Sequence, residues 1–140
     1  MPVKTILITR GISDGEELRD ELQQRGHHAI HEPLTEIFLK HTARPELERA
    51  IASDPDAIIA SSRYGVRALA ALCDLRDMPV ICVGEATADV ANSLGFSRVA
   101  SAGGNIQSLA DYVIDAYDPG SRFLYVSAEH VRADLEQMLS

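Results

Sequence analysis

Hydrophobic positions along this chain fall into two alternating rhythms. Short runs rich in Ile, Val and Ala are bounded by small polar residues, and between them apolar residues recur every three to four positions. The first rhythm is that of strands and the second that of amphipathic helices, so the chain predicts repeated strand-helix units. Such units make a parallel sheet with helices on both faces, an α/β fold. The first strand is predicted at Thr5-Ile6-Leu7-Ile8-Thr9. Ser13 with Glu16 has the spacing of a capping box for a helix carrying Leu18 and Leu22, and Gly26 stops it. His28-Ala29-Ile30 reads as a second strand closed by Pro33, and Leu34–Leu39 as an extended connector. Pro45 opens a helix with Leu47 and Ile51, and the Asp54-Pro55-Asp56 turn breaks it ahead of a fully apolar third strand, Ala57–Ala60. Ser61 and Ser62 cap a helix with Val66, Leu69, Ala70 and Cys73 on one face. A fourth strand is predicted at Val80–Val83 and a fifth at Arg98–Ala100. Asn105 caps a helix with Leu109, Val113 and Ala116, and Pro119-Gly120 turns into a sixth strand at Phe123–Val126. A last stripe of Val131, Leu135, Met138 and Leu139 predicts a further helix.

Open parallel sheets bind ligands outside the carboxyl ends of their strands. Five such ends carry small polar or charged residues: Thr9-Arg10, Ser61-Ser62-Arg63, Gly84–Thr87, Gly103-Gly104-Asn105 and Ser127. The segment ICVGEATADVANSLGF stands out among them. A strand runs into Gly84 and straight on into a helix, so the glycine is expected to let the chain turn closely. The first free N–H groups of the helix then point outward with the positive end of its dipole, which favours an anion. The same residues have a simpler reading, because Ser61, Ser62, Thr87 and Asn105 are ordinary helix-capping types; a residue can also cap and still contact a ligand. Arg10 and Arg63 are the candidate cations, since a guanidinium grips a carboxylate through two parallel hydrogen bonds. Tyr64 either supplies a phenol at the mouth of the site or packs on a neighbour.

Composition narrows the partners. At 140 residues, 46% hydrophobic and 24% charged, the chain is expected to be globular, with one domain or one domain and part of another. A net charge of −8 disfavours nucleic acid and anionic membrane, because either needs a basic face. No apolar run approaches the ~20 residues of a membrane span and the start does not resemble a signal peptide, so a cytoplasmic location is expected. Cys73 and Cys82 are too few for a disulfide framework and read as reduced core thiols. His27, His28, His31 and His41 lack the carboxylate or Cys spacing that would complete a metal site, and read as surface histidines. Neither Gly84 nor Gly103-Gly104 completes a GxGxxG or GxxxxGK[ST] loop, and Ser61-Ser62 lacks a GxSxG elbow. Nucleotide binding and acyl transfer are therefore not expected.

Five segments together carry a family signature: ILITR followed by a helix, Gly26 and Pro33-Leu34; IIASSRYGVRALA; ICVGEATADVANSLGF; GGNIQSLADYV; and FLYVSAEHVRADL. In this order and spacing the chain resembles uroporphyrinogen-III synthases, which close hydroxymethylbilane into uroporphyrinogen III with inversion of the fourth pyrrole ring. The resemblance implies a three-layer α/β/α, flavodoxin-like domain. Such enzymes have two similar α/β domains, the first of them split, joined by a two-stranded linker. Residues 1–33 match the opening strand-helix-strand of the split domain, and 34–140 match the second domain without its last strand, so the fold is expected to be incomplete and the chain truncated. The family uses no metal or cofactor and holds its flexible substrate, which bears eight carboxylates, largely through backbone amides and hydroxyls. Thr87 matches the threonine of the family's Gly-x-x-Thr block, a donor to the leaving hydroxyl or to a carboxylate. Ser61 and Ser62 match its Thr/Ser-Ser pair.

Two functional readings follow. In the first the chain is such a synthase, dimeric through exposed strand edges or exchanged amino-terminal pieces, with Thr87 catalytic and Arg10, Ser61, Ser62, Arg63, Gly84, Asn105 and Ser127 binding substrate. In the second all six strands form one sheet of a non-catalytic flavodoxin-like module that binds an anion or a protein.

Overall fold

The computed structural model describes residues 2–8, 12–32, 39 and 41–126, with the side chains of residues 12–14 and 41 left aside. Thr9, Pro33, the 34–38 portion of the connector and the whole of the final helical stripe lie outside the described residues. The chain divides into two compact units, Met1–Leu39 and Lys40–Ser140.

In the first unit, β1 (Thr5–Ile8) pairs in parallel with β2 (His28–His31), joined by α1 (Ile12–Gln24). The helix begins at Ile12, one residue before the predicted cap, so Ser13 lies inside it and the expected capping box does not start it. α1 packs against β2 and β1, where Ile8 is buried, and strand alternation puts Leu7 and Ile30 on the opposite face. There Leu7 and Ile30 stand side by side in register, 62% and 50% exposed, with Val3 at 65%. The histidines here have local roles: His27 Nδ1 accepts the Lys4 backbone N–H at 3.3 Å, and the His31 ring lies directly against Gly15.

The second unit is built on four parallel strands in the order β5-β4-β3-β6, where β3 is Ala57–Ala60, β4 Val80–Cys82, β5 Val99–Ser101 and β6 Phe123–Val126. A two-stranded and a four-stranded sheet thus stand in place of a single six-stranded one. The helices are α2 (Arg44–Ala52), α3 (Arg63–Leu72), α4 (Glu85–Ser93) and α5 (Ile106–Ala116), with a 3-10 turn at His41–Ala43 leading into α2.

Strand alternation sorts the core into two layers. Ile58, Ala60, Val80 and Cys82 face Val66 and Leu69 of α3 and Ala88 and Ala91 of α4, with Leu47 of α2 at the margin. Ala57, Ile59 and Ile81 face Leu109, Ala110 and Val113 of α5. The result is a three-layer α/β/α sandwich. Every residue of β3 is buried, which explains why its sequence is an unbroken apolar run. Burying a Val, Leu or Ile side chain contributes about 1.5–3 kcal/mol, so these two layers dominate the stability of the unit.

Boundaries moved by a residue where a strand meets a loop. Val83 follows β4 and Arg98 precedes β5, and Cys73 is the residue after α3. α4 ends in a Schellman turn: Gly95 takes φ +92°, its N–H reaches the Asn92 carbonyl, and the Phe96 N–H reaches that of Ala91. Phe96 then folds into the core under α4.

Candidate functional site at the carboxyl edge of the sheet

Because the four strands are parallel, their carboxyl ends lie along one edge, and α3, α4 and α5 each begin there. The register places Ala60 beside Cys82 and Cys82 beside Ser101. Ser61-Ser62, Val83-Gly84 and Ala102–Asn105 therefore follow one another along this edge, as the residues next after those strand ends.

Each has a definite task. The backbone of Ser62 is extended, and its Oγ accepts the Gly65 N–H at 3.1 Å, the side-chain cap of α3. Asn105 caps α5 by accepting the Ser108 N–H at 2.8 Å, while Ser108 Oγ accepts the Asn105 N–H at 3.1 Å, a reciprocal capping box. Ser61 accepts instead from a neighbouring strand, taking the Tyr125 phenol O–H at 3.2 Å. Arg63 opens α3 and is partly buried; beside it Arg67 lies over the Tyr64 ring, 5.5 Å from its centroid, so Tyr64 packs on its neighbour as one of its two expected roles required. Arg10 and Ser127 lie outside the described residues.

Gly84 is needed for a reason different from the expected one. Its φ of −159° and ψ of −177° are extended backbone open to any residue, so the turn itself does not require glycine. A Cβ at this position would sit 3.0 Å from the Cα of Gly104, and the Gly104 N–H donates to the Val83 carbonyl at 2.7 Å. The loops after β4 and β5 thus touch backbone to backbone. Gly65 answers a similar need, since its Cβ would lie 3.0 Å from the Val126 carbonyl oxygen, and its absence draws the first turn of α3 onto the end of β6.

The electrostatics of the α4 start are also partly satisfied from within. Glu85 occupies its first turn, exposed, and so places a carboxylate at the positive end of the helix. Thr87, two residues on, is 4% exposed and shares the inner face of the helix with Ala88 and Ala91. Burial pushes the Cys82 thiol, at the end of β4, up to about 11, which removes it as a thiolate nucleophile at neutral pH. No group of three or more His, Cys, Asp or Glu among the described residues is arranged to hold a metal ion, and among them no helix is long and apolar enough to cross a membrane.

Two participants escaped the sequence pattern. Ser108 completes a capping box with an N-cap asparagine in place of the usual serine or threonine. Tyr125 sits inside β6, one residue before its end, whereas the other polar candidates lie at or beyond the strand ends. Its alternation with Ile59 on the α5 side was readable from the run FLYV, but its reach to Ser61 was not.

A family model described as uroporphyrinogen-III synthase HemD matches residues 16–140. No curated protein matches the chain.

Proposed function

The chain belongs to the uroporphyrinogen-III synthase family, a family of lyases of haem biosynthesis, and from that membership we propose that it acts on hydroxymethylbilane in the cytoplasm, eliminating water and closing the tetrapyrrole to uroporphyrinogen III with ring D inverted. The family match across residues 16–140 carries this reading. The carboxyl edge supports it: hydroxyls, helix starts and backbone N–H groups are suited to a substrate that presents many carboxylates.

In the proposed reaction the substrate hydroxyl departs as water and leaves an azafulvene cation. The substituted carbon of the last ring attacks it to give a spiro intermediate, which rearranges before ring closure. The protein's contribution is to hold one substrate conformation so that this path outruns direct closure. Ser61, Ser62, Arg63, Gly84, Asn105 and Ser127 would bind carboxylates in the second unit, and Arg10 would bind one in the first. Thr87 donates to the leaving hydroxyl or to a carboxylate; at 4% exposure it does so only for a substrate seated against the α4 turn.

We further propose that residues 1–33 are the opening piece of a split domain and 34–140 a second domain. On this reading two strands and one helix bury too little alone, and the open Leu7–Ile30 face pairs with the same face of a second copy, a self-complementary apolar contact. Light scattering tests this, and a monomer with a cooperative melt overturns it.

Incubating the chain with fresh hydroxymethylbilane, oxidising the products and separating the isomers tests the activity. Type III isomer above the spontaneous type I background is expected. Type I alone would leave a binding module.

A further inference from the structure

We propose that Tyr125 is a positioning residue that presents the Ser61 hydroxyl to a substrate carboxylate, an inference that rests on the tetrapyrrole reading above. β3 and β6 are adjacent and parallel, with Ile59 beside Tyr125 and Ala60 beside Val126. The chain leaves β3 for α3 on one face of the sheet and reaches β6 from α5 on the other. Their carboxyl ends therefore flank the point where the order of connection reverses, the place where open parallel sheets form a ligand crevice. The α4 turn is less open by comparison, since Gly104 closes on Gly84, Glu85 sits at the helix start and Thr87 is buried.

At the β3–β6 junction the donors converge. The Tyr125 ring packs into the α5-side core, which fixes where its oxygen lies. Between a phenol and an alkyl hydroxyl the phenol is the better donor, so the Tyr125 O–H goes to Ser61 Oγ, the Ser61 proton is left for another partner, and accepting one bond strengthens the hydroxyl as a donor of the next. Ser62 accepts a bond as well, but from the backbone N–H of Gly65 in the α3 cap, whereas the donor to Ser61 is a side chain of the neighbouring strand; Gly65 brings that first turn down onto Val126. Ser61 is thus the serine whose outgoing proton is aimed by a neighbour, and a carboxylate oxygen is its complement.

The test uses the full chain with Tyr125→Phe, Ser61→Ala and the double variant. Three quantities are measured: type III formation, affinity for uroporphyrin as a non-reacting octacarboxylate by fluorescence quenching, and thermal stability. Tyr125→Phe is expected to raise KM and weaken uroporphyrin binding by about five- to tenfold, the weight of roughly one neutral hydrogen bond, with kcat within about twofold and Tm nearly unchanged. In the Ser61→Ala background the same change should add nothing. A lowered Tm with unaltered binding, or an effect that persists without Ser61, overturns the positioning role. A wild-type chain that binds uroporphyrin with this Tyr125 dependence but makes no type III isomer overturns the enzyme reading while keeping the carboxylate contact. A wild-type chain that neither binds nor converts overturns both.

Discussion

The two edges of the four-stranded sheet are built on opposite principles. At the amino edge, long side chains reach across loops and lock carbonyls in place. Arg76 donates from Nε to Leu94 at the end of α4, from Nη1 to Cys73 and Leu75, and from Nη2 to Ala70 in α3, with its guanidinium 4.8 Å from the Phe96 ring centre. Arg44 adds a bond to the Leu72 carbonyl. Asp56 and Arg122 staple the starts of β3 and β6, with the Arg122 N–H on Asp56 Oδ2 at 2.7 Å and the Asp56 N–H on the Arg122 carbonyl at 2.7 Å. At the carboxyl edge the described loops after β4 and β5 meet backbone on backbone at Gly84 and Gly104, Ser62 and Asn105 make short-range caps, and Ser61 pairs with the Tyr125 hydroxyl. One edge spends its donors on the fold; the other keeps hydroxyls and helix starts near the surface. Function is accordingly expected to follow the second edge and stability the first.

The strongest way to break that division is Arg76→Ala. It strands the carbonyls at two helix ends and removes the cation from Phe96, and is expected to cost about 3 kcal/mol by chemical denaturation. Any isomer ratio formed below the melting temperature should stay as in the wild type; a shifted ratio would tie the amino edge to chemistry.

Next comes pH. Folding lifts the Cys82 thiol from its ordinary value to about 11, so above pH 9 the unfolded chain loses a proton that the folded one keeps. The contribution is therefore fully present below pH 9 and is lost as pH rises toward 11, at most about 2–3 kcal/mol. Melting curves for wild type and Cys82→Ala between pH 8 and 11 should converge as the pH rises, and parallel curves would contradict a buried neutral thiol.

At the carboxyl edge, Gly84→Ala forces the Gly104 backbone aside and is expected to cost about 1–2 kcal/mol, with a larger proportional loss in tetrapyrrole binding than Arg76→Ala shows. Equal losses would erase the difference between the edges. The smallest effect on stability is expected for Thr87→Val, which keeps the shape of the side chain and removes its hydroxyl. A change within about 1 kcal/mol with a clear fall in type III formation would sharpen the assignment, and an unchanged rate would remove Thr87 from the mechanism.

Much of the second unit was legible because strand and helix signals agree there. Ala57–Ala60 is apolar throughout and bounded by a proline turn and two serines, so its burial on both faces could be read directly. Asn105 was recognisable as a cap from its type and place alone. Where two distant segments meet, the sequence is silent. Glycine at 84 looks like a turn residue, but its need arises from a backbone twenty positions further on, and the partner of Ser61 is 64 residues away. Ser13 misled for a local reason: Ile12 already has helical geometry, so a good capping type does not mark the start. The buried place of Thr87 was open to inference from its spacing with Ala91, four residues apart on one helix face.

The position of β3 also bears on how the protein is made. This strand is interior, between β4 and β6, yet its two neighbours emerge at very different times. Val80 is translated soon after Ile58, whereas Phe123 follows Ala57 by 66 residues. At ribosomal speeds that interval lasts roughly 3–13 s. Throughout it a wholly apolar strand has an unpaired edge, so the nascent chain passes through a window in which a holdase, or a neighbouring polysome product, competes with β6 for the same row of amides.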